Sequence, residues 1–291
     1  MLKCVDPAAL GLGSNFMQVV ELALTYGFKG IELDLGSLQA QVESQGLQQA
    51  TKFLKNAPFK RPIVALPMDW FVEDSQLAAA TDRLHALLDS AVEVGCQAYQ
   101  VTVQPYSDSL PYHQNFEFHS RRLQQLAEEM QAREIRLGVN FLAHPAQREG
   151  HPHPFISTAE TLVALVKMTA AENLGVVVDT WNWHLSGGTP EMLTDLGRDR
   201  LVAVRVADFP IDSDIDSISE QERTLPRSDG TSQSGPLLTS LLEMGFKGPI
   251  VPAPDPSQLE QHSREQRVQL AAESLDAAWA AAKPPEPVSA S

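Results

Sequence analysis

Eight short apolar runs separated by amphipathic stretches constrain this chain more than any other feature. They fall near residues 2–6, 30–34, 62–66, 97–103, 135–140, 174–179, 201–206 and 249–253. Runs this short suit strands better than helices, and runs that are apolar throughout belong to a sheet covered on both faces. Helical patterns fill the gaps, clearest at 74–94, 115–133, 156–172 and 234–244, with a last one at about 258–282. Strands alternating with helices in this number predict an α/β protein built as a single (β/α)8 TIM barrel over residues 1–282. A doubly wound open sheet competes with it, and the lack of a G-x-G-x-x-G after any early strand weighs against that sheet.

The joints between helices and strands share a signature. Gly27-Phe28-Lys29-Gly30 is repeated as Gly245-Phe246-Lys247-Gly248, and Val94-Gly95 opens a looser copy. In each, a glycine able to take the left-handed conformation ends a helical pattern and an apolar run follows. Past the last helix, residues 283–291 are rich in proline and predict a disordered tail.

The chain carries a formal net charge of -15. That surface repels phosphate backbones and anionic lipid, which excludes nucleic acid and membrane as expected partners. No apolar run approaches the roughly 18 residues that cross a bilayer, and the start lacks a signal-peptide core. Cys4 and Cys96 lie in strand-like surroundings and read as buried, reduced thiols. A cytoplasmic location is therefore expected, and nothing in the chain argues against a homo-oligomer.

Ligands in α/β folds sit beyond the carboxyl ends of the strands. There the run Leu174–Val178 stops at Asp179, followed by Trp181, Trp183 and His184. Glu32 and Asp34 end the second run on one side of the strand, and Asp69-Trp70 follows the third. Two long loops would frame the barrel mouth: 143–154, with His144, His151 and His153, and 208–234. The irregular histidine spacing matches no zinc pattern. Ser186-Gly187-Gly188 could offer backbone N–H groups to an anion or be a plain loop. Hydrolase, nucleotide-binding, zinc-protease and dithiol motifs (G-x-S-x-G, Walker A, H-E-x-x-H, C-x-x-C) are absent.

Five segments together resemble strands five to eight of the sugar-phosphate isomerase/epimerase group of xylose-isomerase-like TIM barrels. They are Arg136–Leu142, Gly175–His184, Val204–Pro210, Arg223–Pro226 and Gly245–Pro254. The resemblance implies a divalent metal such as Mn, Mg or Zn, held by Glu, Asp, His and Glu at the ends of those strands. The two glutamates would move a proton beside a metal-polarised sugar carbonyl. Position by position, those ligands fall on Asn140, Asp179, Arg205 and Ala253, and a further family histidine falls on Asn182. Only Asp179 is kept. Arg205 is a permanent cation and Ala253 has no polar side-chain atom. The metal chemistry is thus expected to be lost, with no cofactor predicted.

Arg205 has two readings: an ion pair with Asp179 that plugs the old site, or a clamp formed with Arg223 around an anionic group. Trp181 and Trp183 either stack on a sugar ring or pack as core. His184 is either a general base or a packed loop residue. Asn140, Arg205, Arg223, Trp181 and Trp183 are the candidate ligand contacts. Asp179, Glu32 and His184 are the only plausible acid/base set. The expected function is binding of a small polar or anionic sugar- or polyol-like ligand without metal-dependent proton transfer. The alternative is an active isomerase or epimerase using metal-free or relocated-metal chemistry.

Overall fold

The computed structural model describes residues 1–282 apart from 14–15, 34, 61–62, 67–69, 212, 216 and 228–231. Asp34, Asp69 and the tail 283–291 therefore lie outside the described residues. Eight strands run parallel: β1 Leu2–Val5, β2 Gly30–Ile31, β3 Val64–Ala65, β4 Ala98–Val103, β5 Arg136–Phe141, β6 Leu174–Asp179, β7 Leu201–Val206 and β8 Pro249–Pro252. Their spatial order is β2-β1-β8-β7-β6-β5-β4-β3. A parallel bridge between Gly30 and Lys60, just ahead of β3, joins the two ends of that order. The result is the expected (β/α)8 barrel.

The apolar runs become strands because both faces are covered. Every residue of β6 is buried. Inside the barrel, Ile63, Ala98, Val177, Val202 and Ala203 form a separate apolar plug. Outside, Leu123, Leu126, Ala127 and Met130 of the helix Tyr112–Gln131 recur at helical spacing and are fully buried. Two glycines let neighbouring strands close up. A Cβ on Gly175 would lie 2.3 Å from the Arg200 carbonyl oxygen, and one on Gly138 would lie 2.6 Å from Val177.

Helix ends move from the expected positions for local reasons. The helix expected at 115–133 begins three residues earlier, directly after Pro111. That expected at 258–282 starts at Arg264, where Ser263 and Gln266 form a reciprocal capping box. A short 3-10 turn at Pro256–Leu259 precedes it. Two helices, Leu35–Gln45 and Leu47–Asn56, fill the gap between β2 and β3, where the alternation implied a helix without marking its bounds. Described parts of both long loops are tied down. Tyr106–Ser107 pairs antiparallel with His153–Pro154, and His144 Nε2 bonds the Ile218 carbonyl, linking the loops after β5 and β7.

Candidate functional site

Strand ends β1, β4, β5, β6, β7 and β8 surround a cavity of about 350 Å3 at the mouth, with Asp6, Thr102, Asn140, Asp179, Arg205 and Arg223 among its lining. The cavity lies where the carboxyl ends of a parallel barrel converge.

Arg205, on β7, is the centre of a buried ion network. Its Nη1 donates to both carboxylate oxygens of Glu32, at 3.0 and 2.8 Å. Its Nη2 donates to Asp6 Oδ2 at 2.6 Å. Burial penalises the Asp6 charge, but the Arg205 guanidinium and the Ala8 and Ala9 amides outweigh it and hold that carboxyl below its usual range. Burial pushes Glu32 up to about 7, and the adjacent Asp6 charge adds to the rise, against the pull of Arg205. One guanidinium serves two carboxylates here, so only one of them stays firmly ionised. Arg205 itself is held above its ordinary value by Glu32 and Asp6 despite its burial.

Asp179 ends β6 and caps the next helix. Its Oδ1 accepts the amides of Trp181 and Asn182, at 3.1 and 3.4 Å. Its Oδ2 accepts Arg223 Nη2 at 2.8 Å. Arg223 Nε also donates to the Ala253 carbonyl, at 3.3 Å, and its guanidinium lies 5.6 Å from the Trp181 ring centre. The expected Arg205–Asp179 bond is therefore replaced by two separate sets, Arg205 with Asp6 and Glu32, and Arg223 with Asp179.

Asn140 Oδ1 accepts the Phe141 amide at 2.9 Å, and Asn182 Oδ1 accepts the Ala143 amide at 3.0 Å. On β4, Thr102 is exposed, and Gln100 Oε1 is buried without a partner among the described residues. These two also line the cavity.

Three expected site residues lie elsewhere. His184 sits on the helix Thr180–Leu185, which carries its ring to within 4.9 Å of Phe209 rather than into the cavity. Burial lowers its pKa, with Asp208 pulling the other way. Trp183 is fully buried and packs in the main core. Trp181 is also fully buried, edge-on to Phe209 beneath Arg223. Neither indole offers a face to the cavity. Gln100 and Thr102 were passed over by sequence reasoning, and so was Asp6. Its signal was available, because it ends β1 as Asp179 ends β6.

The β7 loop is anchored by Asp208, which is fully buried. It accepts the Ser234 hydroxyl at 2.6 Å and amide at 3.1 Å on one oxygen, and the Arg227 amide at 2.9 Å on the other. The three loop histidines are dispersed. His144 ties to Ile218, His151 pairs with Asp108 and stacks on Tyr106, and His153 lies in the two-stranded ribbon. Among the described residues, no group of three His, Cys, Asp or Glu side chains is placed to hold a metal ion. Cys4 and Cys96 are both buried, as expected. No described helix is long and apolar enough to cross a membrane.

A parallel (β/α)8 barrel with its polar cavity at the carboxyl ends of the strands defines the class. Within that class, the family model described as xylose isomerase-like TIM barrel matches residues 20–279, and the chain belongs to that family. A xylose isomerase domain protein from Alicyclobacillus acidocaldarius superposes with a TM-score of 0.85 at 21% identity, covering 97% of this chain and 99% of its own. D-psicose 3-epimerase from Clostridium cellulolyticum H10, solved with D-tagatose, gives 0.71 at 14% identity, covering 98% and 100%. A 3-dehydroshikimate dehydratase of Pseudomonas aeruginosa is 29% identical over 129 residues, 44% of this chain. The match spans only 19% of that relative's length.

Proposed function

We propose that the barrel mouth binds a small sugar- or polyol-like ligand of about monosaccharide size, without metal-dependent proton transfer. The observation that carries the reading is the Arg205 guanidinium, held by Glu32 and Asp6 where the family resemblance implies a histidine ligand. A permanent cation there repels a divalent ion. The remaining positions do not fit a metal either. Ala253 has no side-chain donor, Asn140 Oδ1 is taken by a backbone amide, and Asp179 already accepts from three groups.

What the cavity does offer is hydrogen bonding, from neutral side chains and from one guanidinium. Gln100 Oε1 needs a donor, Thr102 carries an exposed hydroxyl, and Arg223 supplies guanidinium N–H groups at the rim. A ligand hydroxyl satisfies such groups; a deoxygenated analogue leaves them unpaired. A volume of about 350 Å3 lies at the small end of ligand sites. The relatives' named substrates, a ketohexose and a dehydroshikimate, are polyhydroxylated carbonyl compounds, which agrees with this chemistry.

Ligand-observed NMR with D-tagatose and 3-dehydroshikimate tests the reading. Binding of at least one probe, lost in Thr102→Val and Arg223→Gln, with no consumption of either compound, is the expected result. No binding of either probe would count against it. Turnover would favour a second reading, in which Glu32 transfers the proton without a metal. That reading has one specific support: a carboxyl raised to about 7 exchanges protons near neutrality. Turnover abolished by Glu32→Gln in a folded protein would select it.

A further inference from the structure

The opposite end of the barrel holds a second, larger cavity of about 580 Å3, lined by the first residues of β4, β5, β7 and β8. Arg136, Arg198 and Lys247 all border it. Asp199 borders it too, so the lining sets three cations against one carboxylate in a chain of net charge -15.

These cations are poorly compensated by the protein. Arg136 gives its two terminal nitrogens to backbone carbonyls, Leu201 at 3.0 Å and Asp199 at 2.6 Å. Among the described residues, no carboxylate lies within ion-pairing distance of Arg136 or Lys247. The carboxylate that Arg198 meets, Asp199 at 3.6 Å, is 95% exposed and screened by water. Burial, aided by nearby Arg200, holds Arg136 below its usual pKa even with Asp199 opposing. An uncompensated, half-buried guanidinium is stabilised by any anion that enters.

The backbone adds donors, and the repeated tetrapeptide explains why they are available. In the first copy the Lys29 amide donates to Lys3 at 2.8 Å as β2 pairs with β1. In the second copy the amides of Lys247 and Gly248 donate to no group among the described residues. The next residue is Pro249, which has no N–H and begins β8 at its own position. Lys247 and Gly248 both belong to the lining that carries the three cations, and unbonded adjacent amides are donors of the kind that bind tetrahedral oxyanions.

We propose that this floor cavity binds a phosphate-bearing small molecule, with Lys247, Arg198 and Arg136 neutralising the phosphate and the Lys247 and Gly248 amides orienting it. A cavity of this size accommodates a sugar-phosphate- or nucleotide-sized molecule. The site is independent of the mouth and of the function proposed for it.

Calorimetric titration of the full chain with inorganic pyrophosphate at low salt tests the assignment. Stoichiometric binding that weakens with added salt is expected. Lys247→Glu and Arg198→Glu alter exposed side chains and leave the fold intact, and each should weaken pyrophosphate by about tenfold or more. Arg223→Gln at the mouth should leave the affinity unchanged. The assignment is overturned by the absence of binding at millimolar pyrophosphate. It is also overturned if the two floor variants titrate like the wild type, which would mark an adventitious anion only. Loss of binding in Arg223→Gln alone would move the anion to the mouth and overturn it equally.

Discussion

Replacing Arg205 with methionine asks whether the mouth is organised around this guanidinium. The substitution keeps length and removes charge, leaving Asp6 and Glu32 with side chains only 14% and 10% exposed and no cation between them. Breaking a buried ion pair from one side costs about 3–5 kcal/mol. The cost depends on pH through both carboxylates. Glu32 already titrates at about 7 in the folded protein, above its ordinary 4.5. A carboxyl raised in this way favours the fold below its unfolded value, and that contribution is lost as pH rises through about 7. Removing Arg205 raises Glu32 further and deepens the loss on the alkaline side. Asp6 acts with the opposite sign in the wild type. Held low by Arg205, it stabilises the fold above its ordinary value and ceases to do so on acidification. In the variant that stabilising contribution disappears as well.

Urea denaturation followed by tryptophan fluorescence therefore should give a deficit of about 3–5 kcal/mol near pH 8, shrinking near pH 5.5 where Glu32 is protonated. A deficit below about 1 kcal/mol at the higher pH, of the size expected for a surface pair, would refute the reasoning. So would a deficit that grows on acidification.

Other perturbations separate the remaining contributions. Gly175→Ala drives a Cβ to 2.3 Å from the Arg200 carbonyl, and a loss of about 3 kcal/mol or failure to fold is expected in thermal denaturation. Asp179→Asn keeps a competent helix cap but loses the charge facing Arg223, whereas Asp179→Ala loses both. Equilibrium unfolding should rank alanine below asparagine by about 1 kcal/mol. The triple variant Asn140→Glu, Arg205→His, Ala253→Glu restores the donor set that the family resemblance implies. It should gain Mn2+ affinity that the wild type lacks, measured by calorimetry on the folded protein. A folded triple variant that ignores Mn2+ would mean the mouth has been rebuilt beyond its ligands.

The barrel was legible because most strand residues are buried and so write mainly apolar runs, as Leu174–Val178 does before Asp179, although Gln100 and Thr102 interrupt β4. Helix ends were less legible, since Pro111 and Ser263 decide them locally. The split of the β2–β3 connection into two helices was not readable beyond the alternation itself; Gly46, at a φ of 83°, divides them. At the mouth, the strand-end positions Asn140, Asp179 and Arg205 and the loop residue Arg223, singled out through the resemblance, all line one cavity. Their partners were not readable. Arg205 bonds Asp6 across 199 positions of sequence, a choice fixed by how the closed barrel brings β1 and β2 toward β7. His184 and the two tryptophans take the packed alternative for one reason: Asp179 caps a helix immediately, and that helix carries the following side chains into the wall.

On the proposed reading, Arg205 with Asp6 and Glu32 stands where a divalent metal would otherwise be held. Calorimetric titration of the chelator-treated wild-type protein with Mn2+ tests it most directly. The account predicts no binding up to about millimolar concentration, an affinity of roughly 4 kcal/mol or weaker. Stoichiometric binding near the micromolar range would contradict it and return Asp179 and its neighbours to metal ligation.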